Sequence, residues 1–255
     1  MAKFDLLFSS PLMNAAGALG FSPDRRGAIE LAALGAFITN PISALPRLPA
    51  EQRGCLDYPG GILLHNGHPN PGINAVLQRY ANRWARSPLQ VIVHLLAEEP
   101  AQVGWMMNRL EAASGVKGVE LGLPEDCEPA LARPLVMAGL GELPLIVRLP
   151  FAGSLSLAIS LADLPLIAFS LGPPRGALPA VRGGILRGRL YGVAVFPQAL
   201  LRTEGLVSVG LPVIAGGGIY RPWQAQAMLG VGAVAVQLDT VLWRLGWEGL
   251  RQPQM

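Results

Sequence analysis

The sequence predicts one α/β domain over residues 1–255, folded as a (β/α)8 TIM barrel, and three observations support this. The chain has 255 residues, and a barrel of this class needs roughly 250. It is 51% hydrophobic and 15% charged, which excludes intrinsic disorder. Eight short apolar runs alternate with helical patterns. An open doubly wound sheet is the alternative, but its usual G-x-G-x-x-G turn is missing here.

The eight apolar runs are mostly apolar on both faces, as expected of parallel strands that helices cover. They are predicted over Leu12–Ala15, Phe37–Pro41, Gln90–Leu95, Gly118–Gly122, Pro144–Leu149, Leu166–Ser170, Pro212–Ala215 and Val234–Leu238. A Ser-Pro-Asp sequence provides an N-cap with proline at the first helical position, and it opens a helix over Asp24–Leu34. Further helices are predicted over Ile73–Trp84, Pro100–Ala113, Glu128–Met137, Ser154–Leu161, Pro197–Thr203, Pro222–Leu229 and Val241–Leu250.

Two segments are longer than ordinary loops: residues 43–72 after the second strand and residues 172–195 after the sixth. Long excursions in a compact domain are usually lids or binding loops. Both leave the carboxyl ends of strands, where barrels build their active sites, so both are expected to border the site. The second excursion contains a loose basic set, for which a solvated loop and anion binding are both open: Arg175, Arg182, Arg187 and Arg189.

Charge and cysteine content exclude several classes of protein. The net charge is only +3, and no run of five basic residues marks a nucleic-acid face. Two cysteines are too few for a disulfide scaffold, and no spacing of Cys or His indicates a metal site. The N-terminal residues lack the apolar stretch of a signal peptide, which favours a cytoplasmic protein. The apolar surplus is interrupted by prolines and glycines, so it predicts a homodimer interface rather than a membrane span.

The end of the seventh strand carries the clearest physical signal. Gly216, Gly217 and Gly218 have no side chains, so their backbone N–H groups can approach a ligand closely. Pro222 then opens a helix whose positive end faces the same place. A phosphate site and a simple tight turn are both open. Asp239, at the end of the eighth strand, argues against a phosphate because its carboxylate would repel one.

Two polar residues interrupt apolar strands. Arg148 in the fifth strand must meet either a ligand or a partner, and Glu120 on the adjacent strand is the candidate partner. His94 in the third strand is either a satisfied core histidine or a catalytic group.

Five collinear segments match a known set of motifs. Residues 10–20 (SPLMNAAGALG) resemble NP-x-x-x-A-[SA]-G-x-x-G, and residues 61–72 (GILLHNGHPNPG) resemble G-x-x-N-x-x-G-x-x-N-x-G. Residues 120–121 (EL) resemble the start of E-L-N-x-S-C-P-N. Residues 212–219 (PVIAGGGI) resemble P-I-I-G-x-G-G-I, and residues 232–240 (GAVAVQLDT) resemble G-A-x-x-V-Q-x-G-T. In this order, the segments resemble the dihydroorotate dehydrogenase family, FMN enzymes of pyrimidine biosynthesis built on a (β/α)8 barrel.

The resemblance implies FMN as the cofactor and assigns roles to individual residues. The implied cofactor-binding residues are Ala15, Ala16, Gly17, Asn40, Arg148, Ser170, Gly192, Gly216, Gly217, Gly218 and Thr240. The implied substrate-binding residues are Leu64, Asn70 and Gly122. The catalytic base of the family falls on Glu125, with Cys127 as the alternative if the loop slips by two residues.

The chain departs from the family at its polar residues. Asn40 and Arg148 replace lysines near the flavin, and Leu64 and Gly122 replace asparagines. Asp239 replaces the glycine of the phosphate-site Gly-Thr pair.

The resemblance therefore implies an oxidoreductase in which a base removes a proton while the flavin accepts a hydride, with an altered substrate. The alternative is a paralogue that has lost FMN and acts as a binding or partner subunit.

Overall fold

The structure is a computed structural model that describes residues 8–23, 31–96, 98–180 and 183–243. Its strands are numbered along the chain, and eight of them close into a parallel barrel. In barrel order these are β1 (Leu12–Asn14), β2 (Ala36–Ile38), β5 (Gln90–Leu96), β6 (Val116–Gly122), β7 (Leu145–Leu149), β8 (Ala168–Leu171), β11 (Val213–Gly216) and β12 (Ala235–Leu238), with β12 pairing back onto β1. The closed barrel confirms the predicted fold class and excludes the open sheet.

All eight predicted strands are present, and none of their ends shifts by more than three residues. In the described part of the chain, six helices cover the barrel: α1 (Gly72–Ala85), α2 (Pro100–Glu111), α3 (Pro129–Ala138), α4 (Ser154–Leu161), α5 (Phe196–Val207) and α6 (Pro222–Gly230). Most of the helix predicted over residues 24–34 lies outside the described residues, and its described end is a 3-10 turn, Leu31–Ala33. Most of the helix predicted over residues 241–250 also lies outside them, after the 3-10 turn Thr240–Leu242.

Each of the two long excursions contains two strands. These are β3 (Gly54–Tyr58), β4 (Gly61–His65), β9 (Arg175–Pro179) and β10 (Ile185–Tyr191), and they pair into one antiparallel sheet in the order β3-β4-β10-β9. Residues 63 and 64 of β4 lie opposite residues 190 and 189 of β10. The two excursions are therefore a single structural unit beside the barrel mouth.

The core has two parts, as a barrel wrapped in helices requires. A large apolar cluster fills the space between strands and helices. A smaller one fills the barrel interior, with one or two side chains from each contributing strand: Met13, Ala36, Ile38, Ile92, Ile146, Ala168, Ile214 and Ala235. Because strand side chains alternate between faces, the residue two positions further along each strand also points inward. Those positions define the layer above the apolar interior, at the carboxyl ends of the strands. Within the described residues, no helix combines the length and the apolar character needed to cross a membrane.

Candidate functional site at the barrel mouth

A cavity of about 270 Å³ opens at the carboxyl ends of the strands. Its wall combines the loop after β1, the 43–72 excursion, strand β10 and the segment after β12. Six of the residues that the resemblance assigns to ligand binding line it: Ala15, Ala16, Gly17, Asn40, Leu64 and Thr240. The cavity is therefore the candidate functional site.

Several predicted residues lie elsewhere. Gly192 lines a second cavity of about 250 Å³, together with Tyr58, Gly61 and Tyr220. Asn70 is buried and its side-chain oxygen accepts hydrogen bonds from the backbone N–H groups of Ser43 and Gly72. Its amide is thus engaged in shaping the excursion.

Beneath the cavity, Glu120 contacts polar side chains from four strands. It contacts the ring of His94 (Nδ1 to Oε2, 2.6 Å), and it accepts hydrogen bonds from the Ser170 hydroxyl (2.7 Å) and the Gln237 amide (2.6 Å). The Arg148 guanidinium lies 3.6 Å from Oε2. The ion pair with Glu120, one of the two outcomes that the sequence left open for Arg148, is therefore present.

In this cluster the negative charge of Glu120 and the positive charge of Arg148 compensate each other. Burial alone would raise the pKa of Glu120, but the hydrogen bond from His94 and the nearby positive charge of Arg148 lower it to about 2. Burial lowers the pKa of His94, against the effect of its hydrogen bond to Glu120. Glu120 is therefore ionised, and its charge compensates that of Arg148. Arg148 then has little net positive charge left for an anionic ligand.

Gly122 lies directly beside this cluster. A Cβ atom built on it would stand 2.7 Å from Nε2 of His94, closer than real Cβ atoms approach a neighbour. His94 is fully enclosed and held by Glu120, so its ring has little freedom to move away. An asparagine, the residue that the family carries at this position, does not fit here. The position of His94 therefore requires glycine at residue 122.

Arg189 on β10 brings a positive charge to the cavity wall. Its side chain donates to Asn66 Oδ1 (2.9 Å) and to the His68 ring, and its Nε is buried with no hydrogen-bond partner among the described residues. Burial, and then the charge of Arg189, lower the pKa of His68 to about 2, so this histidine is neutral. Arg189 pairs with no carboxylate within the described part of the chain. An anionic group entering the cavity therefore meets a guanidinium whose Nε has no hydrogen-bond partner among the described residues.

The turn after β11 has the backbone expected of a glycine-rich turn. Gly217 and Gly218 have φ angles of +106° and +72°, values that favour glycine. Asp239 follows β12, and its carboxylate accepts hydrogen bonds from the backbone N–H of Thr240 and from its hydroxyl (3.0 Å). Burial raises the pKa of Asp239, while the hydrogen bonds from Thr240, the nearby backbone N–H of Gly218 and the charge of Arg148 oppose that rise.

The two candidate bases follow β6 in different surroundings. The Glu125 carboxylate lies 3.8 Å from the Arg175 guanidinium, and its side chain is 35% exposed. Burial raises the pKa of Glu125 in spite of the nearby arginines. Cys127 is buried in the apolar cluster between strands and helices, and burial raises the pKa of its thiol. Neither residue lines the cavity.

The sequence placed Gln237 at the end of the eighth strand but did not pair it with Glu120, and it gave Asn66 and His68 no role in binding flavin or substrate. Gln237 follows Ala235 by two residues, so strand alternation could have placed it in the layer with Glu120. Asn66 and His68 are positioned by the pairing of β4 with β10, a contact between distant parts of the chain that no local pattern shows.

A barrel with a ligand cavity at the carboxyl ends of its strands defines the class: a (β/α)8 barrel with the architecture of an enzyme. No family model matches the chain. Curated relatives are similar over most of its length, each of them a catalytic subunit of dihydroorotate dehydrogenase B (NAD+). The protein from Desulforudis audaxviator is 27% identical over 92% of this chain and 83% of its own. The protein from Pelobacter propionicus is 29% identical over 91% of this chain and 83% of its own. The protein from Pyrococcus furiosus is 25% identical over 98% of this chain and 89% of its own. The resemblance to the dihydroorotate dehydrogenase family is thereby confirmed.

Proposed function

We propose that this chain is a dihydroorotate dehydrogenase-like oxidoreductase that acts on a small anionic molecule other than dihydroorotate. The observation that carries the proposal is the mouth cavity with the guanidinium of Arg189 on its wall, whose Nε has no hydrogen-bond partner among the described residues. The curated relatives support the class of reaction. The altered substrate follows from Leu64 and Gly122, which stand where the family has asparagines and which cannot form the same hydrogen bonds.

The FMN that the family implies fits this site only in part. The small side chains and backbone of residues 15–18 leave room for a ring system. The volume of about 270 Å³ lies just below the range of about 300–1,000 Å³ typical of ligand pockets. At the other end, the N–H group and the hydroxyl of Thr240 both donate to the Asp239 carboxylate. These two donors of Thr240 are therefore not free for the phosphate of FMN.

Redox chemistry in this class belongs to its flavin, so the chain itself contributes binding, orientation and proton transfer. We propose Glu125 for the proton transfer, because its partly exposed carboxylate follows β6 at the same end of the barrel as the cavity. Burial also raises its pKa, which favours a general base. Cys127 is the less suitable candidate, because a buried thiol with a raised pKa provides little thiolate.

The test uses purified protein supplied with flavin and a panel of small carboxylates that includes dihydroorotate. One carboxylate should bleach the visible flavin absorption under anaerobic conditions, whereas dihydroorotate should not. Glu125→Gln should slow that reduction by about 10²–10⁴-fold, and Cys127→Ser should leave it within a few-fold of the unmodified chain. Loss of reduction in Cys127→Ser but not in Glu125→Gln would transfer the base to Cys127.

A second function is favoured by one specific observation, the compensation of Arg148 by Glu120. A barrel whose central cation is neutralised internally could serve as a binding or partner subunit without a flavin. Protein that binds no flavin, and that shows no flavin spectrum after incubation with one, would establish this alternative. For either function, we propose a cytoplasmic homodimer.

A further inference from the structure

We propose that Arg189, held in place by Asn66 and His68, selects the ligand of the mouth cavity, and that this ligand is a carboxylate with a compact apolar body. The inference deepens the proposed function, on which it rests only for the role of the carboxylate as substrate. Leu64 of β4 and Arg189 of β10 lie opposite each other in the strand register, and both line the cavity. This face of the antiparallel sheet therefore borders the site.

Two side chains hold the guanidinium of Arg189. Its Nη2 donates to the Asn66 side-chain oxygen at 2.9 Å, and its Nη1 contacts the ring of His68. Its Nε is buried and has no hydrogen-bond partner among the described residues. Because an arginine has five N–H groups in a planar fork, the side chain retains donors for a ligand.

The segment that holds Arg189 has an unusual backbone. His68 has a φ angle of +54°, and in the described part of the chain no other residue except glycine has a positive φ. The Asn66 side-chain oxygen that accepts from Arg189 also accepts from the His68 N–H, at 3.1 Å. One oxygen thus fixes both the turn and the guanidinium. Backbone strain of this kind is concentrated at ligand sites, where it holds side chains in position.

Neither neighbour cancels the charge of the guanidinium. The Asn66 side chain is an uncharged amide, and burial, followed by the charge of Arg189, lowers the pKa of His68 to about 2, so its ring is neutral. Arg189 is only 9% exposed, so water solvates its charge poorly and an anion stabilises it. A carboxylate is planar, as the guanidinium is, and it can pair with two N–H groups at once. The ligand group that fits Arg189 best is therefore a carboxylate.

The rest of the cavity wall predicts an apolar body for the ligand. Most of the wall near the barrel consists of side chains without polar atoms: Ala15, Ala16, Ala18, Pro41, Leu64 and Pro69. The Trp243 indole also lines the cavity, and its N–H already donates to the Ala18 carbonyl at 2.7 Å. The Asn40 side-chain oxygen accepts from the Gly20 N–H, and the Thr240 hydroxyl donates to Asp239. A cavity of about 270 Å³ with such a wall suits a single apolar ring that carries the carboxylate.

The experiment measures the dissociation constants of benzoate, benzamide and phenylphosphonate on the purified full-length chain by isothermal titration calorimetry, without flavin. Benzoate and benzamide have the same shape, but only benzoate is charged. Benzoate should bind about tenfold more tightly than benzamide or better, the ratio that one hydrogen bond to a charged group supplies. Phenylphosphonate carries a tetrahedral group in place of the planar one, so it should bind more weakly than benzoate.

Three variants test the residues. Arg189→Lys keeps the positive charge but removes the planar fork, so it should weaken benzoate binding about tenfold. His68→Gly permits the positive φ and removes the ring, so it should weaken benzoate binding while the chain unfolds at a similar urea concentration. Arg187→Lys makes the matched change at an exposed position of the same strand that does not line the cavity, and it should retain the affinity of the unmodified chain.

The unmodified chain alone can overturn the inference, whether or not the variants fold. Benzamide or phenylphosphonate binding as tightly as benzoate excludes a carboxylate site, and so does the absence of benzoate binding. Equal losses of affinity in Arg187→Lys and Arg189→Lys overturn the role of Arg189. These results leave the flavin oxidoreductase standing, because its test is the reduction of flavin. Benzoate binding with the expected preference but no flavin reduction by any carboxylate rejects the proposed function and retains the carboxylate site.

Discussion

Glu120 compensates a buried arginine and organises the side chains of three other strands. It is fully buried, and its contacts with His94, Ser170, Gln237 and Arg148 depend on its negative charge. Removing one partner of a buried ion pair leaves the other uncompensated, at a cost of about 3–5 kcal/mol. Glu120→Gln should therefore lower the free energy of unfolding by about this amount, measured by urea denaturation at neutral pH.

The pH dependence of the stability difference between the unmodified chain and Glu120→Gln provides an independent check. The pKa of Glu120 is depressed from 4.5 to about 2 in the folded chain. A group with a depressed pKa stabilises the fold fully above its ordinary pKa and loses that effect as the pH falls toward the folded value. The difference in free energy of unfolding between the unmodified chain and Glu120→Gln should thus decrease as the pH falls below 4.5. Glu98→Gln, at an exposed pair with Arg47, should change stability by less than about 1 kcal/mol at any pH.

At the level of single residues, the sequence could predict the residue types of the site but not all their partners. The pair of Arg148 with Glu120 was one of two predicted outcomes, because a cation inside an apolar strand needs a partner. Asp239 lies at the end of the eighth barrel strand, as the sequence placed it. Its carboxylate accepts a hydrogen bond from the Thr240 N–H as the N-cap of the 3-10 turn Thr240–Leu242.

At the level of elements, β5 and β6 approach so closely above the apolar interior that only glycine fits at residue 122. Gly122→Ala places a Cβ atom 2.7 Å from His94 Nε2. Relieving that overlap requires the His94 ring or the strand to move, and overpacking of this kind costs about 1–3 kcal/mol. The variant should unfold at a lower urea concentration.

Gly205→Ala is the matched control, because Gly205 lies inside α5 with open space around its Cβ position. Alanine there favours the helix and reduces the entropy of the unfolded chain, so stability should rise by about 0.4–1 kcal/mol. Equal effects of the two substitutions would show that backbone entropy, and not the contact with His94, determines the result at residue 122.

The barrel strands could be predicted because each is a continuous apolar run, which reflects burial on both faces. The excursion strands could not be predicted in the same way. β3 and β9 alternate between partly buried and exposed residues and contain glycine or proline, so they read as loops. A local signal was present in Pro59-Gly60, a turn sequence between β3 and β4. The pairing of β4 with β10 joins segments more than a hundred residues apart, and no local pattern encodes it.

At the level of the whole molecule, closing the barrel brings polar residues from distant strands into one layer and leaves apolar side chains on its outer surface. The neighbouring helices α3 and α4 expose Met137 (55%) and Ile159 (63%), with Leu131 and Leu155 also partly exposed. Apolar patches of this kind mark interaction surfaces. The composition of the chain predicts a homodimer, and this face of the barrel is a suitable location for its interface.

Ile159→Asp places a charge on this surface, which a closely packed apolar interface does not tolerate. Light scattering should give twice the chain mass for the unmodified protein and the single-chain mass for Ile159→Asp. Leu48→Asp alters a side chain that is more exposed but lies in the excursion after β2, so it should remain dimeric. A single-chain mass for the unmodified protein would contradict the dimer. A dimer that persists in Ile159→Asp but dissociates in Leu48→Asp would move the interface to the barrel mouth, where it would have to leave the cavity open to its ligand.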